Sequence, residues 1–385
     1  MRTVKVLHIF GRMNRGGAEM RTLELMEALS QDPAQRIQFD YCVLSGKPGE
    51  LDGKIRALGG KVHYLPLRPG FGKKFRNMLR EGSYASVHSH VHLFSGYMLR
   101  LAFQVNVPSR ICHLHTTGDG NPANLRRSLQ NRLMRQWLFR YATSVVGVSE
   151  GALEAFFREA PAFRKDPRST LIYDAINPER FASEIDRNAV RASIGVPIDG
   201  IEVIHIGRIE PVKNHSRLVQ LFASFLKTHP SAWLVLVGNA DANAKADLEG
   251  KIEALGITRR VHFLGSRDDV PALLASADIM IFPSLWEGLP GVVLEASAAR
   301  LPVLSNDLPG SRELAAFFPS VRCIALSESN ETWAAAASAL LETSRHSAAS
   351  NSRLFDTPFT VAHCLEKLLP LWRGVSVKPA PPIHF

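Results

Sequence analysis

Apolar positions recur along this chain in two alternating rhythms. Short runs such as VKVLHIF and QFDYCVLS are bounded by turn residues and read as buried strands, whereas GGAEMRTLELMEALS spaces its apolar residues three and four apart and reads as a helix. The alternation continues through KVHYLPL and SVHSH (strands), FSGYMLRLAFQVN (helix), SRICHLHT (strand), a helix from Asn124 to Tyr141, TSVVGVS (strand) and GALEAFFREA (helix). A second series repeats the plan: IEVIHIG, HSRLVQLFASFLKTH, WLVLVGN, ADLEGKIEALG, VHFLG, VPALLASA, DIMIFPS, GVVLEASAA and PVLSN. Strands separated by helices specify a parallel sheet wrapped on both faces. The pattern therefore predicts an α/β chain of two doubly wound, Rossmann-like domains, whose ligands belong in a cleft at the carboxyl ends of the strands. The expected boundaries are 1–175 for the first domain and 176–355 for the second. Residues 356–385 are expected to form a C-terminal helix packing back on the first domain, then a loose tail, KPAPPIHF. Tyr173 to Gly200 shows no clear period and reads as a linker.

Length and composition agree. A chain of 385 residues is long for one core, and 45% apolar with 21% charged residues is ordinary for a folded protein. No apolar run reaches the ~20 residues of a membrane-spanning helix, and the opening run is too short for a secretory signal. Cys42, Cys112, Cys323 and Cys364 are far apart with no C-x-x-C pair, which favours reduced structural thiols and a cytoplasmic setting. The charge is uneven. Residues 1–175 hold 26 Lys+Arg against 14 Asp+Glu, a net of +12, so the rest of the +10 chain carries −2. The excess in the first half points to an anionic partner there, or to a solubilising surface.

Candidate chemistry follows the strands. In PSLWEGLPGVVLEASAARLPV, Glu287 lies in the turn after a buried strand and Glu295 lies one to two turns inside the next helix. At ~1.5 Å per residue the two carboxylates stand roughly 10 Å apart, too far along one helix for a glycosidase pair but suited to separate hydroxyls of one polyol. Pro290 suits the first helical turn, and Gly288 and Gly291 let backbone approach a ligand. The helix start offers N–H groups to a phosphate or sugar. In IEVIHIGRIEPVKNHSRL, Arg208 follows a strand and Lys213 comes five residues later, a pair of cations able to neutralise a diphosphate. Each feature alone also fits an ordinary solvated surface.

Taken together, GRIEPVKN followed by EGLPGVVLE resembles the retaining glycosyltransferases of family 4, which have the GT-B fold. MNRGGAE, HSHVHLFSGYMLRLA, RICHLHTT and VVGVSEGA are similar to segments of bacterial exopolysaccharide and lipopolysaccharide-type transferases, so the resemblance spans nearly the whole chain. It implies that Arg208 and Lys213 bind the donor diphosphate, Glu295 the ribose hydroxyls and Glu287 the donor sugar. Gly288, Leu289 and Pro290 would line the phosphate and sugar through backbone, and Gly16 and Gly17 would offer N–H groups. His115 is implied as the active-site histidine. The chain departs from the family where YDAIN replaces an Asn-Gly-Ile-Asp-like turn, leaving the roles of Asp174 and Asn177 open, and where Arg300 stands in place of a common glycine.

The expected activity is hexosyl transfer from a nucleotide sugar, UDP-linked, to a lipid-linked or growing saccharide in surface polysaccharide biosynthesis. No metal or other cofactor is expected. His88, His90 and His92 recur at period two, a spacing that places them on one side of a strand and raises a metal site as the lesser reading beside packing roles. LRRSLQNRLMRQWLFR sets Leu125, Leu129, Leu133 and Trp137 among Arg126, Arg127, Arg132, Arg135 and Arg140, and GFGKKFRNMLR adds Lys73, Lys74, Arg76 and Arg80. This basic and aromatic mixture fits docking on anionic lipid at the inner face of the plasma membrane, or a solvated helix face. No nucleic-acid-binding module accompanies it. A nucleotide-sugar epimerase, a sugar phosphorylase and a non-catalytic sugar-binding protein are the rivals. A dinucleotide oxidoreductase lacks its G-x-G-x-x-G.

Overall fold

A computed structural model describes residues 3–117, 125–182, 184–345, 354 and 356–374. The chain divides into two compact units, residues 1–176 with 358–385, and residues 177–357. In the first, a parallel sheet is ordered β3-β2-β1-β4-β5-β6-β7, with β1 Val4–Phe10, β2 Ile37–Val43, β3 Val62–Tyr64, β4 Ser86–Ser89, β5 Ser109–Leu114, β6 Ser144–Gly147 and β7 Ser169–Leu171. In the second, the order is β10-β9-β8-β11-β12-β13, with β8 Ile201–Ile206, β9 Ala232–Val237, β10 Val261–Gly265, β11 Ile279–Phe282, β12 Val303–Asn306 and β13 Val321–Ile324. Each sheet reverses its winding once, between β1 and β4 and between β8 and β11. Those reversals are where doubly wound sheets open to ligands. Both units are Rossmann-like, and the fold is GT-B.

The strands read as unbroken apolar runs because helices cover both faces. In β1, Val6 and Phe10 join one core while Leu7 and Ile9 join the other. His8 falls on the first of these faces, with Phe39 and Tyr41. The C-terminal helix Val361–Trp372 closes that face. Its entry is tied by Ile176 N–H to Phe359 O (3.0 Å) and Val361 N–H to Ile176 O (3.2 Å), and Trp372 is fully buried. The tail KPAPPIHF lies outside the described residues.

From Asn177 onward the stretch read as a linker belongs to the second unit, and its described residues carry regular structure. Asn177 accepts from the Glu179 N–H at 3.1 Å and caps the short turn Pro178–Phe181. Asp186 caps helix Arg187–Ile194, which Gly195 ends at φ +75°. Buried Arg191 from this helix clamps the start of the β8–β11 pair. Its Nε donates to Ser276 O (3.0 Å), its Nη1 to Ile198 O (3.0 Å) and Gly200 O (2.9 Å), and its Nη2 to Asp278. Glu202, fully buried on β8, accepts the Asp278 N–H at its carbonyl (2.9 Å), donates its own N–H to the Asp278 carboxylate (2.7 Å) and takes Ser276 Oγ at 3.2 Å. The sequence hid this helix because its longest inward side chain is a cation.

Candidate active site

The loops leaving β8 and β11 are fastened together. Asn214, in a left-handed conformation (φ +55°), donates from Nδ2 to Pro283 O at 3.2 Å, and Leu285 N–H donates to Val212 O at 2.8 Å. This brings Lys213 Nζ within 2.6 Å of Glu287 Oε1, with both side chains about four-fifths buried. The Lys213 stem lies over Gly207, where any side chain would meet its carbons at 3.2 Å, and Nζ stands 5.2 Å from the Phe282 ring centre. Behind it, burial drives His205 well below its ordinary pKa and His215 down to about 4, with Lys213 adding to both. The imidazoles beneath the pair are therefore neutral.

Glu287, Gly288, Leu289 and Pro290 form the turn into helix Gly291–Ala298. Pro290 is its N-cap rather than its first helical residue, as had been expected, and it supplies no side-chain cap. Val293 N–H donates to Pro290 O at 3.0 Å, so the N–H groups of Gly291 and Val292 are those left to other acceptors. Gly310 supports the turn from below, because a Cβ there would lie 2.1 Å from Gly288 O. Glu295 is half-buried at the fifth position of the helix. Arg208 is about half exposed and pairs with Glu210 at 2.9 Å, a partner that sequence spacing did not suggest. The structure thus joins Lys213 to Glu287 directly, while Arg208 sits on the β8 loop paired with Glu210 and Glu295 lies within the helix that follows the β11 loop. At the end of that helix Arg300 adopts φ +63°, its N–H on Ser297 O (3.1 Å) and the Leu301 N–H on Ala296 O (2.9 Å). This is a Schellman ending, which glycine favours.

In the first unit Gly16 caps helix Gly17–Gln31, and a side chain on it would collide with the Glu19 carboxylate at 2.3 Å. Glu19 already places negative charge at that helix start, so an anion binding there competes with it. The period-two histidines do not line up as expected. Strand β4 ends at Ser89, and the backbone turns at His92 (φ +47°), which lines a different cavity. His88 and His90 instead meet His8, His113 and His115. The bonds are His8 Nδ1 to His90 Nε2 at 3.0 Å, His90 Nδ1 to His115 Nε2 at 2.8 Å, and His88 Nε2 to His113 Nδ1 at 3.1 Å. Asp174 Oδ2 lies 3.8 Å from His115 Nδ1, which gives the atypical linker residue a neighbour. Burial lowers His8 to about 3 and holds His88, His90 and His113 well below the ordinary range, with mutual repulsion adding to the last three.

The basic segment GFGKKFRNMLR is helical, spanning Phe71–Gly82. Helix Leu125–Tyr141 buries Met134 and Leu138, not Leu129 and Leu133, which the spacing singled out. Leu129 is 61% exposed and Leu133 40%, between exposed Arg126, Arg132 and Arg140. Trp137 packs at the core edge under Arg100, 4.5 Å from its ring centre. Beside this helix lies an open cavity of about 430 Å³ lined by His92, Phe94, Arg126, Arg127, Gln130 and Asn131 among others. No described helix is long and apolar enough to cross a membrane.

Known proteins match this architecture. Residues 16–166 match the glycosyl transferase 4-like domain and residues 186–354 match glycosyl transferases group 1. The chain belongs to this family of glycosyltransferases. EpsF of Bacillus subtilis (strain 168), named as a glycosyltransferase, is 30% identical over 337 residues, covering 86% of each chain. The capsular polysaccharide biosynthesis glycosyltransferase CapH of Staphylococcus aureus is 28% identical over 367 residues, 94% of this chain and 98% of CapH. The UDP-Gal:alpha-D-GlcNAc-diphosphoundecaprenol alpha-1,3-galactosyltransferase of Escherichia coli is 26% identical over 329 residues, 80% of each. Among solved structures, Anabaena Alr3699/HepE in complex with UDP and glucose has a TM-score of 0.78 at 20% identity, covering 95% of this chain and 98% of its own.

Proposed function

We propose that the chain is a retaining, family 4 hexosyltransferase that moves a sugar from a UDP-linked donor to a lipid-linked or growing saccharide in surface polysaccharide assembly. The observation that carries this reading is the half-hidden Lys213–Glu287 pair at the β8–β11 reversal, beside a helix start without a side-chain cap. The printed names of CapH and the galactosyltransferase, and the UDP and glucose in HepE, support the substrate classes.

In this reading Lys213 and Arg208 face the diphosphate, Glu287 holds the donor sugar and Glu295 the ribose hydroxyls. Gly288, Leu289 and Pro290, with Gly16 and Gly17, contribute backbone, and His115 contacts the transferred sugar. As the bond from the anomeric carbon to the diphosphate oxygen stretches, negative charge grows on the leaving group where the cations are preorganised. The acceptor hydroxyl attacks from the same face, its proton passing to the departing diphosphate oxygen, so configuration is kept. Transfer runs without a metal because these cations supply the charge, and chelator in the assay should leave the rate unchanged. Incubating the chain with a panel of mass-tagged nucleotide sugars, with and without saccharide acceptors, tests the reading. Acceptor-dependent transfer with a retained anomer supports it. Isomerised donor without acceptor, or a sugar phosphate formed from free phosphate, would instead identify an epimerase or a phosphorylase.

The exposed leucines and arginines of helix Leu125–Tyr141, with Lys73, Lys74 and Arg80, dock the protein as a peripheral enzyme on the anionic inner face of the plasma membrane. The neighbouring cavity with Arg126 and Arg127 receives the charged head of the acceptor. Vesicles with anionic lipid should bind the protein in low salt and release it in high salt. Equal binding to neutral vesicles in high salt would remove this part.

A further inference from the structure

The imidazoles of the first unit bond to one another, so their hydrogen positions can be worked out from a partner whose chemistry is fixed. An indole N–H only donates. Trp372 Nε1 donates to His88 Nδ1 at 3.1 Å, which makes that nitrogen a lone-pair acceptor and puts the His88 hydrogen on Nε2. That hydrogen then points at His113 Nδ1, 3.1 Å away, so neutral His113 must carry its own hydrogen on Nε2. One donor on the C-terminal helix thereby fixes two tautomers in succession.

The other chain, His8–His90–His115, can run in two directions. Running toward His115, it places hydrogens on Nδ1 of His8, His90 and His115, and the last faces the Asp174 carboxylate 3.8 Å away. Run in reverse with neutral rings, it turns the His115 Nδ1 lone pair toward that carboxylate. An N–H there is attracted by the carboxylate and a lone pair is repelled by it, while a water in the cavity beside these rings serves His8 Nε2 in either direction. The first direction prevails.

We propose that Trp372 and Asp174 are positioning residues that lock this network into one set of tautomers, holding His115 as a donor from Nδ1 with its Nε2 lone pair already engaged by His90. The assignment also explains three buried nitrogens without partners among the described residues. His113 Nε2 and His115 Nδ1 are left as donors and His8 Nε2 as an acceptor, and all three rings line one small cavity with Asp174. The cavity, about 10 Å³, holds roughly one water. A water accepting from the two N–H groups and donating to His8 and Asp174 completes every bond.

The same logic argues against a metal. Two trios, His8–His88–His90 and His90–His113–His115, bring ligand atoms within 4.8 Å of one another. His88 has no lone pair left after Trp372 and His113 are satisfied, and His113 presents a hydrogen rather than a lone pair to the second trio. The tautomers themselves do not depend on the transferase reading. Their consequence does: with Nε2 engaged by His90 and the Nδ1 hydrogen turned toward Asp174, a His115 locked in this way has no lone pair left to take a proton from the acceptor.

Long-range ¹H–¹⁵N correlation spectra of the full chain labelled at histidine, assigned with single His→Gln variants, read each tautomer directly. At neutral pH, His88 and His113 should show hydrogen on Nε2, and His8, His90 and His115 on Nδ1. Zinc at equimolar concentration should leave these signals in place. Trp372→Phe should mix the His88 and His113 tautomers, and Asp174→Ala those of His8, His90 and His115. Asp174→Ala should also cut kcat on the order of tenfold or more with little change in donor KM. Hydrogen on Nδ1 of His113, a charged imidazolium among the four deeply buried rings, or loss of the signals to zinc would overturn the proposal in the unaltered protein, whatever the variants do.

Discussion

Glu202 offers a quantitative test of how the second unit is held together. It is fully buried where β8 meets β11, the same strands whose far ends carry Lys213 and Glu287. Its nearest cation, Arg191, stands 3.5 Å away, but the Arg191 donors are already committed to Asp278 and to three backbone carbonyls. Burial therefore outweighs that attraction and pushes the Glu202 carboxyl from 4.5 up to about 7. The folded state binds this proton more tightly than the unfolded chain. Its contribution is therefore fully present below pH 4.5 and is lost as pH rises through about 7. At 1.36 kcal/mol per pH unit, that interval amounts to about 3 kcal/mol. Glu202→Gln keeps the shape and removes the titration. Between pH 4.5 and pH 8 the stability of the variant relative to the parent should shift by about 3 kcal/mol in the variant's favour. Hydrogen exchange at the β8 amides of Val203 and Ile204, compared between the two proteins at each pH, measures this within the unit concerned. A difference that stays flat, or that moves toward the parent at high pH, would mean Arg191 keeps the carboxylate ionised and the reasoning is wrong.

Lys213→Ala should lower kcat by about 100-fold or more while far-ultraviolet circular dichroism stays unchanged, since it removes charge aimed at the leaving group; near-parental turnover in the transfer assay would dismiss that role. Gly310→Ala forces a methyl against Gly288 O and should cost about 1–3 kcal/mol and weaken donor binding, both readable by thermal shift with and without UDP. Arg300→Gly relieves a left-handed backbone and should stabilise the unit by about 1 kcal/mol; a lower melting temperature would contradict it.

The sheets were legible because buried parallel strands leave long apolar runs and their helices leave a different period. The Lys213–Glu287 pair was legible only as two separate motifs, since 74 residues separate its members and only the β8–β11 reversal brings them together. What stayed hidden has a common cause: side chains working against their usual habit. Arg191 points inward and so masks a helix, while Leu129 and Leu133 point outward and so inverted the expected face of helix Leu125–Tyr141. The histidine network was half visible in H-S-H and H-L-H, but His8 comes from β1 and the donor that orders it, Trp372, comes from the last described helix. His92 kept the period and lost the face, because the strand had ended three residues earlier.

The two units use one topological opening for opposite chemistry. At a winding reversal the flanking connections leave toward opposite faces, so side chains from two adjacent strand ends meet over open space. In the second unit that space holds a cation and a carboxylate 2.6 Å apart, each stabilising the charge of the other. On the proposed reading an incoming diphosphate takes over Lys213 and frees Glu287 for hydroxyls, and until then the mutual attraction of the pair offsets part of the desolvation each charge suffers. In the first unit, His8 of β1 meets His88 on β4 and His90 just beyond it, all held neutral by burial. Neutral rings bonded in series cannot balance a diphosphate, but they fix the direction of N–H groups without placing charge beside a sugar. A cation at His88 or His90, for example His90→Lys, would find only the Asp174 carboxylate in the cavity, already facing His115, and burial there would unfold the packing before it added affinity for phosphate.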